Sequence, residues 1–178
     1  MASAVAAKLL LELLVVTAAF LDLRSRRIPN RLTASGVVAG LSINTYQSGW
    51  AGLKTGLAGL GLALLLYGLL FAIRAMGGGD VKLMAAVGAF TGPQPWLSIF
   101  AITAVVGGVL AVVTLLARGG LVRALSNVAT IMGSLFHFRA PHQNHPELDV
   151  AHASARTLPH GAAIAIGVLI YFVWLAPR

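Results

Sequence analysis

The amino-acid sequence predicts an all-α membrane protein, a polytopic bundle of six transmembrane helices with an additional amphipathic helix at the cytoplasmic surface. Of its 178 residues, 58% are hydrophobic and 10% are charged, whereas soluble domains carry about 25% charged residues. A chain of this size cannot bury so much apolar surface within itself. No long hydrophilic segment separates two apolar halves, so we expect residues 1–178 to form a single membrane-embedded domain.

Six apolar runs define the predicted spans, most of them near the ~20 residues that a bilayer core requires. The fourth run is short and is stopped by the sequence Gly92-Pro93-Gln94-Pro95, because proline cannot continue a helix in the ordinary way. The small-residue patterns Gly36-xxx-Gly40 and Gly52-xxx-Gly56 predict close packing between helices. The predicted spans cover residues 3–22, 32–48, 52–73, 80–91, 96–117 and 161–175.

Residues 121–138 differ from these runs. Apolar side chains recur there at helical spacing while polar ones fall elsewhere, which is typical of an amphipathic helix lying on a membrane surface. A seventh span is the alternative, because the segment is also moderately apolar. We expect the stretch that follows it to be a polar loop.

The basic residues predict the orientation. They concentrate in the first, third and fifth breaks between the apolar runs, whereas the second break holds only Lys54 and the fourth holds none. Because cytoplasmic loops carry an excess of Lys and Arg, we expect these three breaks to face the cytoplasm and both termini to face the periplasm. Arginines follow the first apolar run where a signal-peptide cleavage site would lie, so we predict a retained helix.

Composition also excludes several classes of function. The net charge is +8, but no basic stripe is interleaved with aromatic residues, so we expect no nucleic-acid partner. The chain contains no cysteine, which excludes disulfides, thiol catalysis and cysteine-ligated zinc. Five histidines cluster between residues 137 and 160 without a ligand pattern, and we expect neither a metal nor a cofactor.

Three of the five acidic residues have ordinary explanations. Glu147 and Asp149 fall in the predicted polar loop, where water solvates them. Glu12 lies four residues after Lys8 inside the first span, so the two share a helix face and we predict a structural ion pair.

Asp22 and Asp80 are the candidate catalytic residues. The topology places Asp22 at the cytoplasmic end of the first span and Asp80 at the cytoplasmic start of the fourth, hence at the same depth. Two carboxylates in one water-accessible site share a proton, and such a pair can activate water and protonate a scissile carbonyl. The alternative is that each aspartate pairs with a nearby cation, Arg26 for Asp22 and Arg74 or Lys82 for Asp80.

Three glycines, Gly77, Gly78 and Gly79, directly precede Asp80. Glycine accepts backbone angles closed to other residues and allows another chain to approach closely. A tight turn between the third and fourth spans is one interpretation. A peptide-binding hinge that presents Asp80 to a substrate is the other.

Three further residues are candidates for shaping or binding at this site. Pro29 suits the first turn of a helix, and Asn30 is expected to cap that helix or to link the loop. Lys82 is predicted to extend its side chain toward the membrane interface. The alternative is that its positive charge lowers the pKa of Asp80.

Three stretches of the sequence carry a family resemblance: “GGGDVKLMAAVGAFTGP”, “DLRSRRIPNRLT” and “LPHGAAIAIG”. The first resembles the G-x-G-D motif and following helix of the type IV prepilin peptidases. The second resembles their first aspartate motif, and the third resembles the Pro-Tyr-Gly-like start of their last span. His160 stands where an aromatic residue is more usual.

The resemblance implies a membrane aspartyl endopeptidase whose catalytic aspartates correspond to Asp22 and Asp80. Such enzymes cleave the leader of prepilins or pseudopilins at the cytoplasmic face of the bacterial inner membrane, between a glycine and the hydrophobic helix of the pilin. The larger members also carry zinc-binding cysteines and methylate the new N-terminus. This chain has no cysteine, so it resembles the short, peptidase-only type associated with tight-adherence (Flp) pili.

Two functions from other classes are alternatives. A small transporter or channel component would use Asp22 and Asp80 to carry protons or to bind a cation. Carriers often contain internal repeats, and no convincing repeat relates the first three predicted spans to the last three. A non-catalytic assembly subunit would keep the two aspartates as partners in ion pairs.

Overall fold

The computed structural model describes residues 2–117 and 160–176, and every element within these ranges is helical. The all-α prediction is confirmed for this part of the chain. The predicted surface helix at 121–138 and the polar loop after it lie outside the described residues. The helices are α1 Ala2–Ser25, α2 Asn30–Ala72, α3 Gly78–Thr91, α4 Pro93–Ala117 and α5 His160–Ile170, which continues into a π-helical turn at Tyr171–Leu175.

Three of the described helices, α1, α2 and α4, are long and apolar enough to cross a membrane. Helix α3 has 14 residues and is therefore about 21 Å long, shorter than a hydrocarbon core of about 30 Å. Most of its side chains are buried by the neighbouring helices. The predicted fourth span is thus a short central helix and not one of the three full-length spanning helices.

Helix α2 reverses its direction near its middle. Gly49 adopts a φ of 56°, a conformation that favours glycine. A Cβ placed at Gly40 would lie 2.9 Å from the carbonyl carbon of Ala89, and one at Gly56 would lie 2.9 Å from the oxygen of the same carbonyl. Sixteen residues of continuous helix would hold Gly40 and Gly56 about 24 Å apart. The chain therefore folds back, and the predicted break between the second and third apolar runs lies at this reversal.

Glycines bring the two arms of α2, residues 30–47 and 50–72, into backbone contact with α3. A Cβ at Gly59 would meet the carbonyl oxygen of Gly88 and would lie 2.7 Å from the Cα of Gly92. A Cβ at Gly40 would lie 2.8 Å from a backbone nitrogen of α3. The close packing that the small-residue patterns predict is confirmed, and it places α3 between the arms.

The junction between α3 and α4 is tighter than the sequence predicts. We expect residues 92–95 to form a break before a span that starts at Trp96. Instead Gly92 alone joins the two helices with a φ of 75°, and α4 begins at Pro93. Proline suits the first helical position because its missing N–H would have no intrahelical acceptor there.

Aromatic side chains fill the core between the second arm of α2 and helix α4. Tyr67 packs edge-on against Trp96 and Phe100, with ring centroids 6.2 and 5.8 Å away. The indole N–H of Trp96 donates to the carbonyl oxygen of Met84 on α3 at 3.0 Å. This cluster fixes α2, α3 and α4 relative to one another.

Candidate active site

A polar cavity of about 570 Å³ opens where the ends of four helices meet. Its wall combines the end of α1, the start of α2, the residues that lead into α3 and the first residue of α5. Both candidate aspartates, Asp22 and Asp80, line this cavity together with His160. Residues 58 positions apart in the chain are thereby brought to one polar site, as the sequence analysis expects from their common depth.

Asp22 is held at the end of α1 by the start of the last helix. Its side chain is 9% exposed, and its Oδ2 accepts a hydrogen bond from the backbone N–H of Gly161 at 3.0 Å. Arg26, one turn later, adopts a left-handed φ of 55° and donates its backbone N–H to the carbonyl of Asp22 at 2.8 Å. The chain therefore turns away from α1 directly beside the carboxylate.

Asp80 lies in the first turn of α3, outside the three long spanning helices. Its backbone N–H donates to the carbonyl oxygen of Gly77 at 3.2 Å. Burial, and next the charge of Asp22, raise the pKa of Asp80 from 3.8 to about 7, against a smaller opposing effect of a separate hydrogen bond that the backbone N–H of Gly77 donates to the carboxylate. The two carboxylates are thus close enough for their charges to interact, and near neutral pH Asp80 holds a proton part of the time.

The three glycines before Asp80 do not form a hinge with unusual backbone angles. Gly77 caps α3 with a φ of −78°, and Gly78 and Gly79 already belong to its first turn. The positive-φ glycines of the described chain are Gly49 and Gly92, so that part of the hinge interpretation is wrong. A methyl group at Gly78 would lie 3.5 Å from Phe71, an ordinary contact. What the run provides is a stretch of cavity wall without side chains.

Asn30 and Lys82 link the start of α2 to α3. Asn30 is the first residue of α2, and its Oδ1 accepts a hydrogen bond from Nζ of Lys82 at 2.9 Å. No side chain caps this helix, so the capping alternative for Asn30 is not realised, and its side chain instead joins two helices. Pro29 lies one position before the helix, not within its first turn, and accepts backbone hydrogen bonds from Leu32 and Thr33. Of Pro29, Asn30 and Lys82, only Asn30 lines the cavity.

His160 is a residue that the sequence analysis did not assign to the site. It is the first residue of α5 and lines the cavity, with its ring 6.2 Å from that of Tyr67. Its Nε2 is buried and has no hydrogen-bond partner among the described residues. The available signal was its place in the “LPHG” stretch, at the start of the last apolar run and at the same predicted depth as Asp22 and Asp80.

The remaining acidic residue within the described ranges lies far from the cavity along α1. Glu12 pairs with Lys8 at 3.8 Å, so the predicted ion pair is confirmed. Within residues 2–117 and 160–176, no three His, Asp or Glu side chains come together in a way that would hold a metal ion. Most of the predicted histidine cluster, together with Glu147 and Asp149, lies outside the described residues.

Comparisons with known proteins bear on this arrangement. A model of the type IV leader peptidase family matches residues 9–112, a range that contains both Asp22 and Asp80. The prepilin leader peptidase/N-methyltransferase of Neisseria gonorrhoeae is 30% identical over 117 residues, which is 62% of this chain and 41% of that relative. The chain therefore spans less than half the length of this relative. No solved structure matches.

Proposed function

Because this chain belongs to the type IV leader peptidase family, we propose that it is a membrane aspartyl endopeptidase that removes the leader peptide of prepilins. The single observation that carries this proposal is the shared cavity of Asp22 and Asp80. Two carboxylates on separate helices, with Asp22 buried and Asp80 half-buried, have a cost in stability that a purely structural role does not repay. It is the arrangement that water activation requires.

The proposed mechanism assigns different roles to the two carboxyl groups. Asp22, with one oxygen engaged by the N–H of Gly161, acts in its ionised form and takes a proton from water. The water oxygen attacks the scissile carbonyl carbon while Asp80, in its protonated form, donates its proton to the carbonyl oxygen. Collapse of the resulting diol breaks the C–N bond, and a carboxyl proton passes to the leaving amine. The pair regains one shared proton.

The raised pKa of Asp80 supports this division of roles. A carboxyl group with a pKa of about 7 is protonated in a substantial fraction of molecules at neutral pH, as a general acid must be. The first turn of α3 also exposes backbone N–H groups that have no intrahelical acceptor. We propose that an extended leader segment lies along Gly77–Asp80 and hydrogen-bonds to such groups.

The proposed substrate is a prepilin or pseudopilin whose apolar helix lies in the membrane. Exposed large apolar side chains cover the outer faces of α1, α2 and α4, which suits contact with lipid and with such a helix. The arginines around the cavity, Arg26 and Arg27, support a cytoplasmic site at the inner membrane. We further propose that α1 starts on the periplasmic side.

We propose the short, Flp-type specificity from the motif resemblance and the lack of cysteine. In the family that the motifs resemble, zinc-binding cysteines accompany the larger, methylating members, and residues 1–178 contain no cysteine. Peptidase activity without methyl transfer is therefore expected. Mass spectrometry of the processed pilin distinguishes the two outcomes, because methylation adds about 14 Da to the new N-terminus.

Substitution of each aspartate tests the proposal. We expect Asp22→Asn and Asp80→Asn, coexpressed with an Flp-type prepilin, to abolish leader removal measured by mass spectrometry, because neither amide can exchange the required proton. Glu12→Gln is the matched control, since Glu12 lies outside the cavity lining, and it should process normally. Processing that survives both aspartate substitutions contradicts the mechanism. Proton flux in liposomes without cleavage would favour the transporter alternative.

A further inference from the structure

The start of α5 contacts Asp22 more directly than any part of the glycine run does. The backbone N–H of Gly161 donates to Oδ2 of Asp22 at 3.0 Å, in a buried contact between residues 139 positions apart. His160 and Gly161 are the last two residues of the “LPHG” stretch, which has no other part in the proposed mechanism. The contact places the last helix of the described chain in the site.

The contact exists because residue 161 has no side chain. A Cβ at Gly161 would lie 3.0 Å from Oδ2, 3.1 Å from Cβ and 3.3 Å from Cγ of Asp22. These distances are shorter than ordinary van der Waals contacts, so an alanine would displace the carboxyl group. Gly161 does not have a positive φ, and its requirement is therefore for space and not for an unusual backbone conformation.

The donor is available and rigidly placed. The first N–H groups of a helix have no intrahelical acceptor, so Gly161 gives up no helical hydrogen bond when it binds Asp22. Further along α5, a Cβ at Gly167 would meet Oγ1 of Thr103 on α4, and His160 packs near Tyr67. Close packing on both sides fixes the position of the N–H relative to α1.

His160 gives a second indication that this end of α5 does more than pack. A buried polar atom without a partner among the described residues, such as its Nε2, lowers the stability of a fold. The first turn of α5 thus supplies one bonded donor and one unsatisfied polar atom next to the proposed dyad.

We infer that Gly161 is a positioning residue for Asp22: its N–H fixes one carboxylate oxygen and its missing side chain leaves the carboxyl group room to face the water. The kinetic consequence rests on the proposed peptidase function, whereas the contact itself does not. The site is therefore built from α1, α3 and α5, and the last helix sets the orientation of the base.

Kinetics of Gly161→Ala test the functional part of the inference. Misplacing a reacting group by about 1 Å can cost about 100-fold in rate, so we expect kcat for leader cleavage to fall by that order while KM changes by less than about 2-fold. Gly108→Ala on α4 is the matched control, because no atom lies within 4 Å of a Cβ there. Unchanged kcat, or a loss confined to KM, overturns the inference.

A stability cycle tests the contact without any assay of cleavage. We expect Gly161→Ala to lower the melting temperature more in the wild-type background than in Asp22→Ala, where Oδ2 and Cγ are gone. Equal decreases in both backgrounds would overturn the inference even if cleavage were lost. Should Gly161→Ala fail to fold, hydrogen–deuterium exchange decides: the first turn of α5 must exchange faster in Asp22→Ala than in the wild type. If the wild type cleaves no prepilin, these readouts still stand.

Discussion

Two groups of glycines in this protein serve different purposes. At the interface between α2 and α3, a Cβ at Gly59 or at Gly88 would meet the backbone of the other helix. At the cavity rim, a Cβ at Gly77, Gly78 or Gly79 would lie 3.4–3.5 Å from its nearest neighbour, which is an ordinary contact. The first group is required by packing, whereas the second is not.

The difference shows what a glycine run before an aspartate does and does not mean. Membrane helices gain little from excluding lipid, so close backbone contact through small residues is a main source of their association. Packing explains the interface glycines fully. The rim glycines have room for a methyl group, and Gly77 is extended while Gly78 and Gly79 are helical, so their explanation lies in the cavity that they border.

The largest effect is expected from a substitution that disrupts the interface between α2 and α3. Gly59→Val places a Cβ and two methyl groups against Gly88 and Gly92. We expect the solubilised protein to lose about 3 kcal/mol of stability or more. Gly61→Val, two residues away on the same arm, is the control because nothing lies within 4 Å of a Cβ there. Thermal melting in detergent measures both variants. Similar melting temperatures for the two would contradict the packing role of Gly59.

A smaller, pH-dependent effect is expected at the cavity. The pKa of Asp80 rises from 3.8 to about 7, so between these values the folded chain holds a proton that the unfolded chain has released. Stability should therefore fall as pH rises from about 4 to about 7 and change little above that. In Asp80→Asn this contribution vanishes.

Melting temperatures across this pH range check the prediction. The difference between the wild type and Asp80→Asn gives the contribution of the Asp80 carboxyl group, including its interaction with the charge of Asp22. Asp80→Asn should melt at a higher temperature than the wild type at pH 8. Below pH 4 it should be no more stable than the wild type. Parallel pH curves for the two proteins would show that Asp80 titrates normally.

The smallest effect on the fold is expected from a substitution among the rim glycines. Gly78→Ala adds a methyl group in the first turn of α3 at an ordinary contact distance, so stability should change by less than about 1 kcal/mol, with a gain as the expected sign. Leader cleavage should nonetheless fall, because the methyl group lines the proposed path of the substrate backbone. A variant that folds and cleaves like the wild type would leave the rim glycines without this role.

Much of the arrangement was predictable because it depends on local properties of the chain. Hydropathy and the spacing of breaks predicted the apolar helices, and small residues predicted close helix packing, although not that α3 is the partner of α2. The expectation that Asp22 and Asp80 lie at one depth followed from the positions of arginines. Errors arose where local signals were ambiguous: Pro93 and Pro95 indicated a break but belong to the first turn of α4.

The sequence by itself determined that the chain is helical, that its surface is made for lipid and that two aspartates lie near the ends of apolar runs, because composition and periodicity act over a few neighbouring residues. Only the tertiary structure decided that α3 packs against both arms of α2, that Gly78 and Gly79 are helical and that Gly161 holds Asp22. These facts depend on which backbones approach within about 3 Å. Such contacts join residues as far as 139 positions apart, and no local pattern specifies them.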